Sequence, residues 1–299
     1  MTTVKEAANR LVEQVGGVVI GKRAATEQLL AALLVEGHVL LDDVPGVGKT
    51  TLARAVARSF ALSFSRIQCT PDLVPSDITG VSVFDQRTQK FEYRPGPLMA
   101  NIVLVDEINR ATPRAQSSLL EAMQERQVTV DEATHTLPEA QLDRFLLMLQ
   151  LGYPSADEED DILRVHGAGT VSTDDLRPIL DAAALASLRE EVRAVRVSEA
   201  VRRYVADLVR ATRTAEGVEL GASPRAALAL YRAAQAHAAI RGRAYVLPDD
   251  VKAQATAVLR HRLFLIADAQ MRGRTGAAVV ADVLARTPVP AEDAARAAG

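Results

Sequence analysis

The chain has 299 residues, 48% of them hydrophobic and 24% charged, with a formal net charge of −3. That length suggests two domains, either able to bury a core, and the composition is ordinary for a soluble globular protein. The slight acidic excess leaves no electrostatic footprint for nucleic acid or anionic membrane. The one cysteine, Cys69, excludes an intramolecular disulfide and reads as a small buried hydrophobe in a reducing compartment. No apolar run approaches the roughly 18 residues of a membrane span. Met1–Arg10 is polar and holds no signal-peptide core. A cytoplasmic protein is expected.

Val4 to Val15 has apolar residues at helical spacing, broken by the Gly16–Gly21 stretch; Ala24 to Val35 is a second helix, stopped by Gly37. Val39-Leu40-Leu41 then reads as a buried strand, and Thr50 to Phe60 as a helix. Between them lies Asp42-Asp43-Val44-Pro45-Gly46-Val47-Gly48-Lys49-Thr50-Thr51. Strand, glycine turn and helix with Gly48-Lys49-Thr50 at the turn is the context of a phosphate-binding loop. Glycines let backbone N–H groups face phosphate oxygens, and the helix N-terminus adds partial positive charge. Pro45 to Thr51 would cradle the nucleotide phosphates. Within that stretch Lys49 would reach the β- and γ-phosphates of ATP, and the Thr50 hydroxyl would hold Mg2+. Asp43 stands where the strict pattern has its first glycine, with Pro45-Gly46 supplying the turn.

Leu62 to Gln68 reads as the next strand. Val81–Phe84 and Lys90–Tyr93 alternate around a polar Asp85–Gln89 turn, which signals an inserted hairpin with either a packing or a functional role. Asn101 to Glu107 is four consecutive apolar residues ending in two carboxylates. That describes a strand buried on both faces with its acids at the carboxyl end, where ligands bind in doubly wound sheets. Asp106 would hold Mg2+ and Glu107 would polarise the attacking water. Pro113–Arg126 is helical, Gln127–Asp131 a short strand, Leu137–Leu142 a helical turn or two, and Phe145–Leu151 another strand. Gly152-Tyr153-Pro154-Ser155 marks a boundary, giving domains at 1–152 and 153–299. Beyond it, helices are expected near 156–166, 181–190, 199–213, 224–241 and 248–263, with a fraying tail from Thr287.

The chain resembles the MoxR group of AAA+ ATPases. The resemblance rests on Leu40–Leu52, Thr70–Gly80, Arg94-Pro95-Gly96-Pro97-Leu98, Val105–Ala111, Leu137–Phe145 and Gly221–Arg225, which span about residues 15 to 265. It implies an α/β P-loop nucleotide-binding domain with a parallel sheet, followed by a smaller all-helical lid. It also implies a homo-oligomeric ring, a hexamer, with ATP and Mg2+ at subunit interfaces. Arg144 matches the arginine finger that reaches a neighbour's γ-phosphate, and Arg225 the lid arginine called sensor 2. The 81–94 hairpin matches an insert facing the ring pore. Without that match, Arg144 reads as an ion-pair partner of Asp143 or Glu139, and Arg225 as a helix-start arginine.

Such a sheet has five strands in the order 5-1-4-3-2. Four are legible here, around 38–42, 62–68, 101–107 and 145–151. The fourth, which carries the water-positioning sensor 1 residue, would fall between Val130 and Leu137, where no apolar run exists. Three arrangements are compatible: closure of the two flanking strands, recruitment of Val128–Val130, or residues absent from this sequence. Two functions follow. One is an ATP-hydrolysing, chaperone-like remodeller of protein partners, von Willebrand factor A domains among those the resemblance implies. The other is a nucleotide-binding assembly subunit with impaired hydrolysis. A DNA-directed motor disagrees with the acidic balance.

Overall fold

The computed structural model describes residues 2–44, 46–125, 142–167 and 172–291. Pro45, the expected strand at 127–131, the 131–136 interval, the turns at 137–141 and the last eight residues lie outside them. Helix α1 (Val4–Gly16) begins at a reciprocal cap, with Thr3 and Glu6 each accepting the other's backbone N–H. Its buried residues Val4, Ala7, Ala8, Leu11 and Val15 form one stripe. Helix α2 (Arg23–Leu34) and strand β1 (Val39–Leu41) follow, and the glycine loop opens α3 (Lys49–Ser59).

Next come β2 (Phe64–Gln68), a one-turn helix α4 (Pro75–Thr79) and the hairpin of β3 (Gly80–Asp85) and β4 (Lys90–Pro95). The core half continues with β5 (Ile102–Asp106), α5 (Pro113–Glu125) and β6 (Leu147–Leu149). The four expected parallel strands are therefore all present, but as two pairs. β1 lies parallel to β6, with Val39 opposite Leu147, and β2 lies parallel to β5, with Gln68 opposite Asp106. Among the described residues β1 and β5 do not pair, so the flanking strands have not closed onto one another.

One consequence corrects the sequence reading of β5. Only Leu104 is buried, and its neighbours are partly exposed. A parallel strand is buried on both faces where helices cover both; among the described residues β5 also pairs on one edge alone. The apolar core divides the same way. One cluster unites α1, α2, α3, β1 and β6 with the following helices; a smaller one gathers Ile67, Cys69, Ile78, Ala111, Ala115 and Leu119 around β2 and β5.

The second half holds α6 (Ala156–His166), α7 (Ala182–Arg193), α8 (Glu199–Thr212), α9 (Pro224–Ile240) and α10 (Pro248–Leu259). These match the five expected helices, except that α10 stops at Leu259 and a 3-10 turn, Arg260–Arg262, takes over. Two short helices, α11 (Ala267–Met271) and α12 (Gly276–Arg286), close this half. It is not wholly helical: β7 (Val218–Leu220) pairs antiparallel with β8 (Phe264–Leu265).

Asp250, 1% exposed, fixes the start of α10. It accepts from both terminal nitrogens of Arg243 at 2.5 Å, from His237 Nδ1 at 2.7 Å and from the Leu247 N–H at 2.8 Å. Burial alone raises its pKa, but the Arg243, His237 and Leu247 donors outweigh burial and hold the carboxyl below its usual range. A depressed carboxyl stabilises the fold above its unfolded pKa of about 3.9 and loses that contribution as pH falls. Asp250→Ala is therefore expected to cost about 3–5 kcal/mol at neutral pH, because a guanidinium is left without its partner. Thermal melts should show the gap to wild type narrowing at pH 3.

Candidate nucleotide site

The loop after β1 turns through two left-handed glycines, Gly46 at φ 87° and Gly48 at φ 90°. A side chain at either would meet nothing within 4 Å, so the need for glycine lies in the backbone dihedral, not in space. Val47 between them is buried in the core and anchors the loop. Gly48 is the N-cap of α3 and offers no side-chain acceptor, so the first N–H groups of α3, from Lys49 to Thr51, are left for a ligand. Lys49 Nζ folds over the loop and donates to the Asp43 carbonyl at 2.8 Å.

Asp43 explains its own departure from the glycine pattern. Its carboxylate accepts the N–H groups of Leu151 and Gly152, where the chain leaves β6. The carbonyls of these same two residues accept the buried Lys22 ammonium, at 2.9 and 3.2 Å. Beside them Gln150 donates to Asp42 at 3.2 Å and accepts from Arg260 at 2.8 Å. Loop, β6 exit and the 3-10 turn are thus one hydrogen-bonded unit.

At the end of β5 the two acids are held differently. Arg66 Nε meets Asp106 Oδ2 at 2.6 Å. Glu107 Oε2 accepts from Gln68 Nε2 at 3.0 Å and pairs with Arg110 Nε at 3.3 Å. The Glu107 backbone is left-handed, φ 56° and ψ 44°. Among the described residues no hydrogen bond or ion pair joins this corner to Lys49, Thr50 or Thr51. The Cys69 thiol nearby is pushed up by burial and by the Asp106 and Glu107 charges. No three His, Cys, Asp or Glu side chains converge among the described residues. Mg2+ needs no such cage: it takes one or two protein oxygens and completes its shell with phosphates and water. One carboxylate on Asp106 and one hydroxyl on Thr50 fit that demand.

The two arginines differ. Arg225 is exposed and, among the described residues, in no ion pair, its backbone N–H capped by Ser223 at the start of α9. Arg144 is half-buried and donates from Nη1 to the Leu120 carbonyl on α5 at 2.6 Å; its Nε is buried with no partner among the described residues. Asp143 does not pair with Arg144. It accepts instead from Ser223 at 2.8 Å and from buried Arg262 at 2.9 Å, and Arg262 also reaches the Leu146 and Phe145 carbonyls. His261 Nε2 sits 3.2 Å from the Phe145 carbonyl. Burial, then the Arg262 charge, lowers its pKa to about 4, so it is neutral at pH 7. Arg66, Gln68 and Arg262 escaped the sequence reading. The first two carried a signal: polar residues two apart on a strand destined to lie beside β5.

Two family models match this chain. The model for the ATPase family associated with various cellular activities covers residues 38–141, and an AAA lid domain covers 210–283. Bacillus subtilis YeaC, described as uncharacterized, is 45% identical over 307 aligned residues, covering 96% of each chain. Chaperone MoxR1 of Mycobacterium tuberculosis is 41% identical over 87% of this chain and 76% of its own. A crystal structure of a Cytophaga hutchinsonii protein, assigned as an ATPase, superposes with a TM-score of 0.88 at 33% identity over 96% of both chains.

Proposed function

Because the chain belongs to the MoxR family of AAA+ ATPases, we propose that it binds and hydrolyses ATP and uses the cycle to remodel protein partners. The observation that carries this reading is the uncapped N-terminus of α3, entered through two left-handed glycines with Lys49 folded over them. Backbone N–H groups at Lys49–Thr51 bind phosphate oxygens, and Lys49 neutralises their charge. A Mg2+ ion on Thr50 and Asp106 would offset charge developing on the phosphates. Glu107 orients and deprotonates the attacking water. Arg225 reaches the phosphates from the lid, residues 153–299, across the boundary from the 1–152 core.

The oligomer is a hexameric ring in the cytoplasm, with Arg144 serving a neighbour's site. The hairpin presents Phe84, Phe91 and Tyr93 on one face, Phe91 being 74% exposed, and would meet clients such as von Willebrand factor A domains in the pore. Nucleic acid is not a partner in this reading, and among the described residues no helix is long and apolar enough to cross a membrane. A second reading, a subunit that binds ATP without turning it over, draws support from the separation of the β1–β6 and β2–β5 pairs.

Glu107→Gln keeps the shape and removes the base. ATP binding is expected to persist while hydrolysis falls by about 10²–10⁴, measured as single-turnover rate beside nucleotide affinity. Equal loss of both would make Glu107 a metal ligand or a structural residue. Tight binding with no turnover in the wild type itself would favour the second reading.

A further inference from the structure

Asp106 is already occupied by a cation of the chain's own. Arg66 projects from β2 on the face that Gln68 and Asp106 share, its Nε 2.6 Å from Asp106 Oδ2. Its Nη2 donates to Gln68 Oε1 at 3.2 Å, and Gln68 Nε2 in turn donates to Glu107 Oε2 at 3.0 Å. The Gln68 amide is fixed end for end by these contacts, because only its oxygen can accept from a guanidinium and only its nitrogen can donate to a carboxylate. A single arginine therefore holds one acid directly and the other through Gln68.

We propose that Arg66 is a positioning residue that competes with the divalent cation for Asp106. This rests on the reading of Asp106 as a metal ligand. The competition follows from charge. A dication that displaces Arg66 must break the 2.6 Å pair. One that takes the other carboxylate oxygen must sit within a few ångströms of the guanidinium. Either way the arginine lowers cation affinity. Arg66 is 49% exposed and can swing into solvent, whereas the Asp106 side chain is 18% exposed and fixed on β5.

The test is Mn2+ titration of the full chain, loaded with a non-hydrolysable ATP analogue and followed by electron paramagnetic resonance. Arg66→Met is expected to tighten Mn2+ binding about two- to five-fold, the range an exposed ion pair supports. Arg66→Lys keeps the charge and should return affinity toward wild type, although it cannot grip Asp106 and Gln68 together. A structural role would weaken binding or leave it unchanged, never tighten it. Unchanged or weaker Mn2+ affinity in a folded Arg66→Met protein overturns the proposal; if that variant does not fold, Arg66→Lys binding Mn2+ many-fold tighter or weaker than wild type does so. Asp106→Asn binding Mn2+ as well as wild type would instead overturn the assignment of Asp106, and with it this inference.

Discussion

Lys49→Ala is expected to abolish ATP hydrolysis and to weaken ATP binding about 10- to 150-fold, the value of one charge-assisted hydrogen bond. The ammonium is folded onto the loop, and its partner is a backbone carbonyl of that same loop. Removing it leaves the Asp43 carboxylate seated on Leu151 and Gly152 and the left-handed glycines in place. The melting temperature should therefore stay within a few degrees of wild type while calorimetric titration shows the loss of ATP affinity. Unchanged affinity and turnover would remove the loop from the nucleotide site altogether.

Arg144→Ala is expected to lower hydrolysis by about 10³–10⁵, the worth of an arginine supplied by a neighbour to a transferring phosphoryl group. ATP affinity should hardly move. Within its own chain the guanidinium rests on the Leu120 carbonyl, with Nε buried and, among the described residues, unpartnered. On the proposed reading the guanidinium would leave the Leu120 carbonyl for a phosphate on an adjoining subunit. Mixing Arg144→Ala with Lys49→Ala subunits should restore activity, because some interfaces then hold an intact loop and an intact arginine. Specific activity should also rise with protein concentration. A monomer at every concentration, with or without ATP, would leave Arg144 no phosphate to reach.

What the sequence disclosed follows from how local each cause is. Val39–Leu41, Ile102–Asp106 and the Gly46/Gly48 turn declare themselves through runs and spacings a few residues long, and all three stand where expected. Helix α12 has an ordinary threonine cap and a Val279, Val280, Val283 stripe, yet lies in an Ala-rich stretch that gave no helix in the reading. Arg260-His261-Arg262 reads as the last turn of the helix expected near 248–263. Its burial depends on acceptors more than 100 residues away, around β6, which no local pattern reveals. Asp43 looked like a defect in a motif for the same reason: its partners, Leu151 and Gly152, are distant in sequence. The 131–136 interval lies outside the described residues. The alignment with YeaC, however, at 307 positions, is longer than this whole chain, so that relative carries residues this one lacks.

Glu107 sits in a left-handed backbone conformation that an L-residue with a Cβ enters only at a penalty of roughly 1–2 kcal/mol. Glycine would adopt the same dihedrals freely, and asparagine more readily than glutamate. If Glu107 is the base proposed above, heat tolerance and turnover pull this position in opposite directions. A population of variants screened for thermal endurance alone would drift toward glycine at 107 and accumulate well-folded, ATP-loaded proteins that no longer cycle. On that reading, selection that demands hydrolysis would keep the carboxylate in this turn.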